Sequence, residues 1–303
     1  MSTATAAQAK MTATPTLLQQ VDAWPSLGCA LPLPGFVRYR EKPASQAGLT
    51  PIVFLHGIGS GSGSWLRLLA GRLPHRLLAW DAPGYADSNP LAAEQPAAQD
   101  YARVLWAWLD AIDVRQPVHV VGHSLGCIMA AGAAALQGAR VSRLSLLSPA
   151  QGYGPAAPET RARKAAERLQ AVQELGMPTM AQQRAPRLLS PSASSEEIEL
   201  ATAMMSRLNP GGYSQATHLL AQADIRKDLK TAFLSQPALH ARTEVACGAQ
   251  DVITPPGACQ ALAQDLGLPY TDLGPVGHLC ALEASDAVQS LLESSRETSY
   301  VER

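Results

Sequence analysis

Residues 122–126 have the sequence GHSLG, which follows a short apolar run and precedes a run rich in alanine. A serine on a tight turn between a strand and a helix is held exposed on a strained backbone, where its hydroxyl can act as a nucleophile. Small flanking residues, here Gly122 and Gly126, let neighbouring chains approach the turn. The amino end of the following helix favours developing negative charge. The pattern therefore predicts Ser124 as a catalytic nucleophile rather than an ordinary turn serine.

A serine nucleophile needs a base, and one histidine has a suitable setting. Of the seven histidines, His278 follows the last predicted strand in a GPVGHL segment, so its imidazole can lie at the same sheet edge as Ser124. Asp251 follows the preceding strand and lies 27 residues before His278, which predicts it as the carboxylate that orients the imidazole. Asp81 and Asp87 also follow a strand, but they precede Ser124 in the chain, and a turn-capping role is favoured for them.

A glycine-rich loop, HGIGSGSGSW, occupies residues 56–65 after the first clear strand. Such a loop leaves backbone N–H groups free to bind an anion. One interpretation is a dinucleotide-binding fingerprint with Asp81 as the ribose acid. The third glycine of that motif is missing, however, and there is no lysine for a phosphate-binding loop. The serine turn favours the other interpretation, an oxyanion hole made by the N–H groups of Ile58 and Leu125.

Strand and helix patterns alternate along the first half of the chain, which indicates a parallel sheet with helices on both faces. The predicted strands lie at residues 51–56, 77–81, 117–122 and 141–147. The predicted helices lie at residues 64–72, 99–112 and 127–137. Both the serine turn and the glycine-rich loop then lie at the carboxyl edge of the sheet, where ligands bind in open α/β folds.

The alternation stops at Gly152, and the pattern that follows is helical without a convincing strand. The helical segments are residues 161–175, 196–208 and 213–230, and strand patterns resume at residues 241–247 and 270–273. We interpret the insertion as an all-helical lid over the carboxyl edge of the sheet. Arg184 and Arg187, in the lid, either bind a substrate carboxylate or are surface charges, and the second alternative is favoured.

These patterns divide the chain into three parts. The predicted parts are a disordered tail at residues 1–22, a core at residues 23–151 and 236–297, and the lid at residues 152–235. The tail is predicted from its Ala- and Thr-rich composition, which lacks the basic start and apolar stretch of a signal peptide.

The chain has 303 residues, of which 47% are hydrophobic and 16% charged, and its formal net charge is −1. This composition is typical of a globular protein and excludes disorder throughout, a collagen or a coiled coil. The charge balance argues against a nucleic-acid or anionic-membrane partner, so a small-molecule substrate is the expected partner. The oligomeric state stays open, with a homodimer as one alternative.

Five scattered cysteines form no C-x-x-C pair, so neither a disulfide framework nor a zinc site is expected. Reduced thiols favour a cytoplasmic location. The sequence has no run of 18 apolar residues, which argues against a transmembrane helix. Because no group of His, Cys and Asp has the spacing of metal ligands, we expect an enzyme that uses neither a metal nor a cofactor.

Together, the serine turn, the HGIG loop, the acid and the GHL turn resemble the α/β-hydrolase superfamily across residues 30–296, in the chain order Ser, Asp, His. The HGIG loop through Trp65 and the DAPGY segment at residues 81–85 are similar to its single-lid bacterial branch. That branch holds meta-cleavage product hydrolases, oxoadipate enol-lactonases and small carboxylesterases. The resemblance implies an α/β fold with a mostly parallel central sheet flanked by helices and an all-helical lid inserted after the sixth strand.

The resemblance also implies roles for individual residues. Ser124 would be the nucleophile, His278 the base and Asp251 its partner, with the N–H groups of Ile58 and Leu125 forming the oxyanion hole. Many meta-cleavage hydrolases have the turn GNSMGG and the loop GGGPG, whereas this chain has GHSLGC and GIGSGSG. These departures weaken the assignment to carbon–carbon bond hydrolysis.

We therefore expect a serine hydrolase. Its substrate would be a small or medium ester or lactone, or a vinylogous diketone cleaved at a carbon–carbon bond. The alternatives are a small-ligand receptor on the same scaffold with slow or no turnover, and a cofactor-free lyase or peroxidase.

Overall fold

The fold is built on one mixed sheet in the computed structural model, which describes residues 14–32 and 35–294. The eight strands of the described residues are β1 (Leu27–Ala30), β2 (Phe36–Lys42), β3 (Ile52–Leu55), β4 (Leu77–Trp80), β5 (Val118–His123), β6 (Val141–Leu147), β7 (Thr243–Cys247) and β8 (Tyr270–Asp272). They lie in the order β1-β2-β4-β3-β5-β6-β7-β8. Strands β3 to β8 run parallel to one another, and β2 is antiparallel to both β1 and β4. The predicted mostly parallel sheet is confirmed.

The two antiparallel strands are the ones that the sequence analysis missed. In β2 the buried side chains of Val37 and Tyr39 alternate with the more exposed Arg38 and Arg40. This period of two is typical of a strand with one buried face. Strand β1 is largely exposed and contains Gly28, so it carries little of the apolar signal on which the other strands were identified.

Helices cover both faces of this sheet. They are α1 (Leu17–Ala23), α2 (Leu66–Leu69), α3 (Ala98–Ala111), α4 (Leu125–Gln137), α5 (Pro158–Arg184), α6 (Ser195–Ser206), α7 (Pro210–Gln222), α8 (Ile225–Ser235), α9 (Pro237–His240), α10 (Pro256–Leu266), α11 (Cys280–Glu283) and α12 (Ser285–Ser294). Helices α3, α4 and α8 pack on one face, and α2, α11 and α12 pack mainly on the other. No helix in the described part of the chain is long and apolar enough to cross a membrane.

The disorder predicted for the amino-terminal tail is wrong where the structure describes that tail. Helix α1 begins after Thr16, which forms a capping box with Gln19, and it buries Leu17 and Val21. It packs against α6, and Asp22 pairs with Arg207 at 2.7 Å. The Ala- and Thr-rich composition hid a short amphipathic segment whose partner lies far along the chain. Residues 1–13 lie outside the described part.

The helical insertion follows the sixth strand, as the resemblance implied. Between β6 and β7 the described residues add no strand to the sheet. Helix α5 continues past the predicted end at residue 175 and bends at Gly176, whose φ of 71° is left-handed. Helix α7 begins against the loop after β4, where a Cβ on Gly84 would lie 2.6 Å from the Cα of Gly212. Gly84 and Gly212 thus allow the lid to pack directly on the core.

The single helix predicted at residues 213–230 is wrong, because two helices occupy this segment. The first ends at Gln222, and Asp224 caps the second by accepting a hydrogen bond from the N–H of Arg226 at 3.0 Å. Helix α8 packs on α4 and therefore belongs to the layer that covers the sheet. The lid consequently ends with α7, earlier than the predicted boundary at residue 235.

Candidate active site

Ser124 stands at a sharp turn between β5 and α4. Its φ of 53° and ψ of −116° are unusual for a residue with a Cβ. The glycines beside it are required by space: a Cβ on Gly126 would lie 2.0 Å from the carbonyl oxygen of Leu55, and one on Gly122 would lie 2.6 Å from that of Gly126. The Ser124 side chain makes no capping hydrogen bond to α4, so its hydroxyl is available to a substrate.

Backbone strain at this turn has a measurable consequence. We expect Ser124→Gly to raise the free energy of unfolding by about 1 kcal/mol, because glycine adopts positive φ without a Cβ clash. Urea unfolding of the two proteins measures the difference. Ser214→Gly, inside α7, is the control and should lower the same quantity, since glycine is a poor helix former. Equal destabilisation by the two changes would mean that the turn stores no strain.

The structure brings His278 and Asp251 together as the sequence predicts. The imidazole Nδ1 lies 2.8 Å from Asp251 Oδ2, and both residues are buried. The other carboxylate oxygen accepts hydrogen bonds from the backbone N–H groups of Ile253, at 2.8 Å, and Thr254, at 2.9 Å. Burial alone would raise the pKa of Asp251, but the hydrogen bond and charge of His278 and the two backbone donors outweigh it. The pKa of this carboxyl group therefore lies below its ordinary value of 3.8.

Thr254 is a member of this site that the sequence analysis missed. Its Oγ1 lies 2.9 Å from Asp251 Oδ2, 3.2 Å from His278 Nδ1 and 3.0 Å from the carbonyl oxygen of Ser148. The hydroxyl can donate to the carboxylate or to the carbonyl, so it restricts where the carboxylate and the imidazole can lie. A threonine three residues after a predicted loop aspartate is a known local hydrogen-bonding pattern, and that spacing was the available signal.

Ser124 and His278 line the same cleft, but no hydrogen bond joins their side chains among the residues that the structure describes. Catalytic hydrogen bonds are often long or poorly aligned in an empty site and shorten when substrate binds. The free serine hydroxyl and the fixed imidazole fit that general behaviour.

The glycine-rich loop is held at two carbonyl groups. The hydroxyl of Tyr85 donates to the carbonyl oxygen of Ile58 at 3.0 Å. The Nδ1–H of His56 donates to the carbonyl oxygen of Gly57 at 2.9 Å, while its Nε2 accepts from the N–H of Ala82 at 3.0 Å. With its carbonyl groups fixed, the loop lines the cleft beside Ser124.

The two amides proposed for an oxyanion hole lie on this cleft. The N–H groups of Ile58 and Leu125 donate no hydrogen bond to any described part of the chain. Leu125 is the first residue of α4, where backbone N–H groups have no partner within the helix. Both donors are therefore available to an oxygen bound next to Ser124, as the sequence analysis expects.

His123, next to Ser124 in the chain, has a structural role. Its Nε2–H donates to the carbonyl oxygen of His278 at 2.7 Å, and the two rings lie 4.8 Å apart. Burial and the neighbouring His278 lower the pKa of His123 to about 3. It therefore stays neutral and fixes the backbone of the loop that carries His278.

Three buried histidines should make the protein sensitive to acid. The pKa values of His56, His119 and His123 are all lowered from 6.5, mainly by burial. Below pH 6.5 the unfolded chain binds protons that these folded residues do not, so stability is complete above pH 6.5 and is lost as the pH falls. We expect a loss of up to about 1.4 kcal/mol per pH unit for each histidine.

Urea unfolding between pH 8 and pH 5 measures this slope. His119→Gln should reduce the dependence of the free energy of unfolding on pH below pH 6.5. Above pH 6.5 the substitution should not change that dependence. A free energy of unfolding that does not change between pH 7 and pH 5 would contradict the assignment of neutral, buried histidines.

A second group of serine, histidine and carboxylate shows that composition alone does not define a site. His119 Nε2 lies 2.8 Å from Ser145 Oγ, whose hydroxyl donates to Glu244 at 2.7 Å. These three side chains are buried on β5, β6 and β7 and do not line the cleft. The Ser145 hydroxyl already donates its hydrogen bond to Glu244, so the three side chains link three strands.

The cleft over Ser124 has a volume of about 740 Å³ and is closed on one side by the lid. Its lid wall includes Tyr153, Lys164, Glu167, Arg168, Arg184, Arg187, Leu188, Met205, Tyr213 and Leu220. Of the two lid arginines named in the sequence analysis, Arg184 is half-buried and Arg187 is exposed. Across residues 14–32 and 35–294, no group of three or more His, Cys, Asp or Glu side chains could hold a metal ion.

The family model of the alpha/beta hydrolase family matches residues 52–290, which include all five predicted site residues. The chain therefore belongs to the alpha/beta hydrolase family.

Two curated relatives are hydrolases of one kind. The chain is 32% identical over 114 residues to 2-hydroxy-6-oxononadienedioate/2-hydroxy-6-oxononatrienedioate hydrolase 1 of Dechloromonas aromatica (strain RCB). It is 31% identical over 126 residues to the hydrolase of the same description from Paraburkholderia xenovorans (strain LB400). These matches cover 36% and 40% of this chain, and 39% and 43% of the relatives. The chain thus matches less than half the length of either relative.

Two solved structures share the fold over nearly their whole length. A thermophilic esterase from Thermogutta terrifontis has a TM-score of 0.77 at 21% identity, covering 90% of this chain and 98% of the esterase. The enol-lactonase from Burkholderia xenovorans LB400 has a TM-score of 0.74 at 20% identity, covering 89% and 99%. The resemblance stated from the motifs is confirmed.

Proposed function

We propose that the protein is a serine hydrolase that cleaves a small or medium ester or lactone with Ser124 as its nucleophile. One arrangement carries the proposal. A serine with a φ of 53°, on a turn between a strand and a helix, shares a cleft with His278, whose Nδ1 is held by the buried Asp251. A nucleophile, a base and an orienting carboxylate are the groups that acyl transfer needs.

In the first half of the reaction, Ser124 Oγ attacks the acyl carbon and His278 Nε2 takes the serine proton. Asp251 stabilises the imidazolium that forms. The oxygen that becomes negative accepts hydrogen bonds from the N–H groups of Ile58 and Leu125. The imidazolium then gives its proton to the leaving alcohol, and an acyl group remains on Ser124.

In the second half, His278 takes a proton from a water molecule, which attacks the acyl carbon. The same two amides bind the negative oxygen again. The bond to Ser124 Oγ breaks, the imidazolium returns a proton to the serine, and the carboxylic acid leaves. One water molecule is consumed for each ester cleaved, which separates this reaction from a lyase reaction.

Turnover of 4-nitrophenyl butyrate in ¹⁸O-labelled water tests the proposal. The wild-type protein should release many equivalents of nitrophenol, and each butyrate should gain one ¹⁸O atom. Release of one equivalent or less would favour the receptor alternative. Repeated turnover without ¹⁸O in the acid would contradict hydrolysis. Spontaneous hydrolysis is subtracted with the Ser124→Ala protein.

A second candidate is hydrolysis of a carbon–carbon bond in a vinylogous diketone. The names of the two curated relatives favour it, at 32% and 31% identity. A 2-hydroxy-6-oxo-dienoate is coloured, so its cleavage can be followed by loss of absorbance. A kcat/KM at least tenfold above that for the butyrate ester would make this the main reaction. The reverse ratio would support the ester.

A further inference from the structure

The lid wall of the cleft carries an excess of positive charge. Four basic side chains line it, those of Lys164, Arg168, Arg184 and Arg187, against one acidic side chain, that of Glu167. The chain as a whole has a formal net charge of −1, so this excess is local. A concave, partly enclosed surface with one sign of charge raises the local concentration of ligands of the opposite sign.

The arginine charges on this wall are not neutralised by an acidic side chain in the described part of the chain. Glu167 is engaged with Arg163 at 2.6 Å and with Lys164 at 3.8 Å. Neither Arg168 nor Arg184 forms an ion pair with any described residue. Arg184 has a polar contact with the hydroxyl of Tyr213, at 3.4 Å, and that tyrosine also lines the cleft.

Two of the arginines lie deep enough to contact a substrate. Arg168 and Arg184 are half-buried, whereas Arg187 is exposed. Burial, with Tyr101 and Tyr213 nearby, raises the pKa of Tyr85, and the positive charge of Arg168 opposes that rise. Ile58, whose carbonyl group accepts the hydrogen bond from Tyr85, lines the same cleft as Arg168.

The bend in α5 brings these two arginines to one cleft. Residues 168 and 184 are 16 positions apart, which is about 24 Å along a straight helix. Gly176 lies midway, and its left-handed φ of 71° breaks the helix into two segments with different directions. A helix without that break would not present both guanidinium groups to a cleft of this size.

We propose that Arg168 and Arg184 bind an ionised carboxyl group of the substrate, so that the preferred substrates are esters or lactones that carry a second, free carboxylate. This inference rests on the proposed function, because it concerns the same cleft. A guanidinium group matches a carboxylate with two parallel N–H donors, and such charged hydrogen bonds are about twice as strong as neutral ones. Arg187, which is exposed, attracts the anion to the entrance.

A matched pair of esters tests the proposal. Mono-4-nitrophenyl adipate and 4-nitrophenyl pentanoate have the same leaving group, and they differ in the carboxylate at the far end of the acyl chain. We expect the wild-type kcat/KM to be at least tenfold higher for the adipate. Arg168→Gln and Arg184→Gln should each lower that value by about 10- to 100-fold. The value for the pentanoate should change by less than about twofold.

Arg161→Gln is the matched control, since it removes one charge from the same helix at a position that does not line the cleft. It should leave the adipate-to-pentanoate ratio unchanged. A wild-type enzyme that prefers the pentanoate would overturn the proposal. So would arginine variants that lower both values equally, because they would then act on the lid and not on the carboxylate.

Binding measured without catalysis separates this proposal from the proposed function. Adipate is titrated calorimetrically into the Ser124→Ala protein and into two double variants that add Arg168→Gln or Arg184→Gln to it. The Kd for adipate should be about tenfold lower in the Ser124→Ala protein than in either double variant. If the esters are not turned over but adipate binds in this way, the hydrolase mechanism fails and the carboxylate site stands. If the esters are turned over but adipate does not bind, or binds the three proteins equally, the carboxylate-site proposal is wrong and the proposed hydrolase function stands.

Discussion

Replacing Ser124 with alanine should lower kcat for ester hydrolysis by about 10⁴- to 10⁶-fold, the scale seen when a triad member is removed. The remaining groups cannot compensate, because His278 and Asp251 have no nucleophile to activate. The residual rate reflects binding and the two oxyanion amides alone. Steady-state kinetics with 4-nitrophenyl butyrate measures the change.

Ser60→Thr provides a comparison within the same cleft. Ser60 is buried and lines the cleft, and threonine keeps its hydroxyl. We expect at most a tenfold change in kcat from this substitution. The assignment of the nucleophile would be contradicted if Ser60→Thr lowered kcat as much as Ser124→Ala does. It would also be contradicted if the Ser124→Ala protein kept more than about 1% of the wild-type kcat.

Replacing Asp251 with asparagine should lower kcat by about 10⁴-fold, because the substitution favours the wrong tautomer of His278. The oxygen that accepts from Ile253 and Thr254 remains a carbonyl oxygen, so the new NH₂ group replaces the oxygen that faces His278 Nδ1. A donor at that position requires Nδ1 to be an acceptor. Nε2 then carries the proton and cannot take one from Ser124.

Asp272→Asn is the control for this change. Asp272 is an exposed acid at the end of the neighbouring strand β8, and its carboxylate accepts from the N–H of Gly274. Its substitution should leave kcat within about twofold. Near-wild-type activity in Asp251→Asn would mean that another group orients His278.

The parts of the fold that could be predicted are those whose signal is local in the chain. Strands β3, β4, β5 and β7 are buried on both faces, so they appear as short, largely apolar runs close to glycine or proline. The turn at Ser124 needs Gly122 and Gly126 because a Cβ at either would meet backbone atoms, and this requirement is visible in the sequence. Asp251 and His278 were identified because each follows a strand at the same edge of the sheet.

The parts that could not be predicted depend on contacts between distant segments. The stability of α1 comes from α6, and the sequence of α1 alone gives only a capping box and two apolar residues. Tyr85 and His56 hold the glycine-rich loop at residues 56–65 through hydrogen bonds whose partners no motif specifies. Arg168 drew no attention in the sequence because the bend at Gly176 decides that it faces the cleft.

The central claim is that Ser124 forms a covalent acyl intermediate, and labelling with an aryl phosphonate tests it most directly. The phosphonate should inactivate the protein and add one phosphonyl group, which tandem mass spectrometry of the peptides should locate on Ser124 Oγ. Ser124→Ala should take up no label, and Asp251→Asn should react much more slowly. A phosphonyl group on another residue of the cleft, such as Ser60, or full inactivation without a bond to Ser124, would contradict the account.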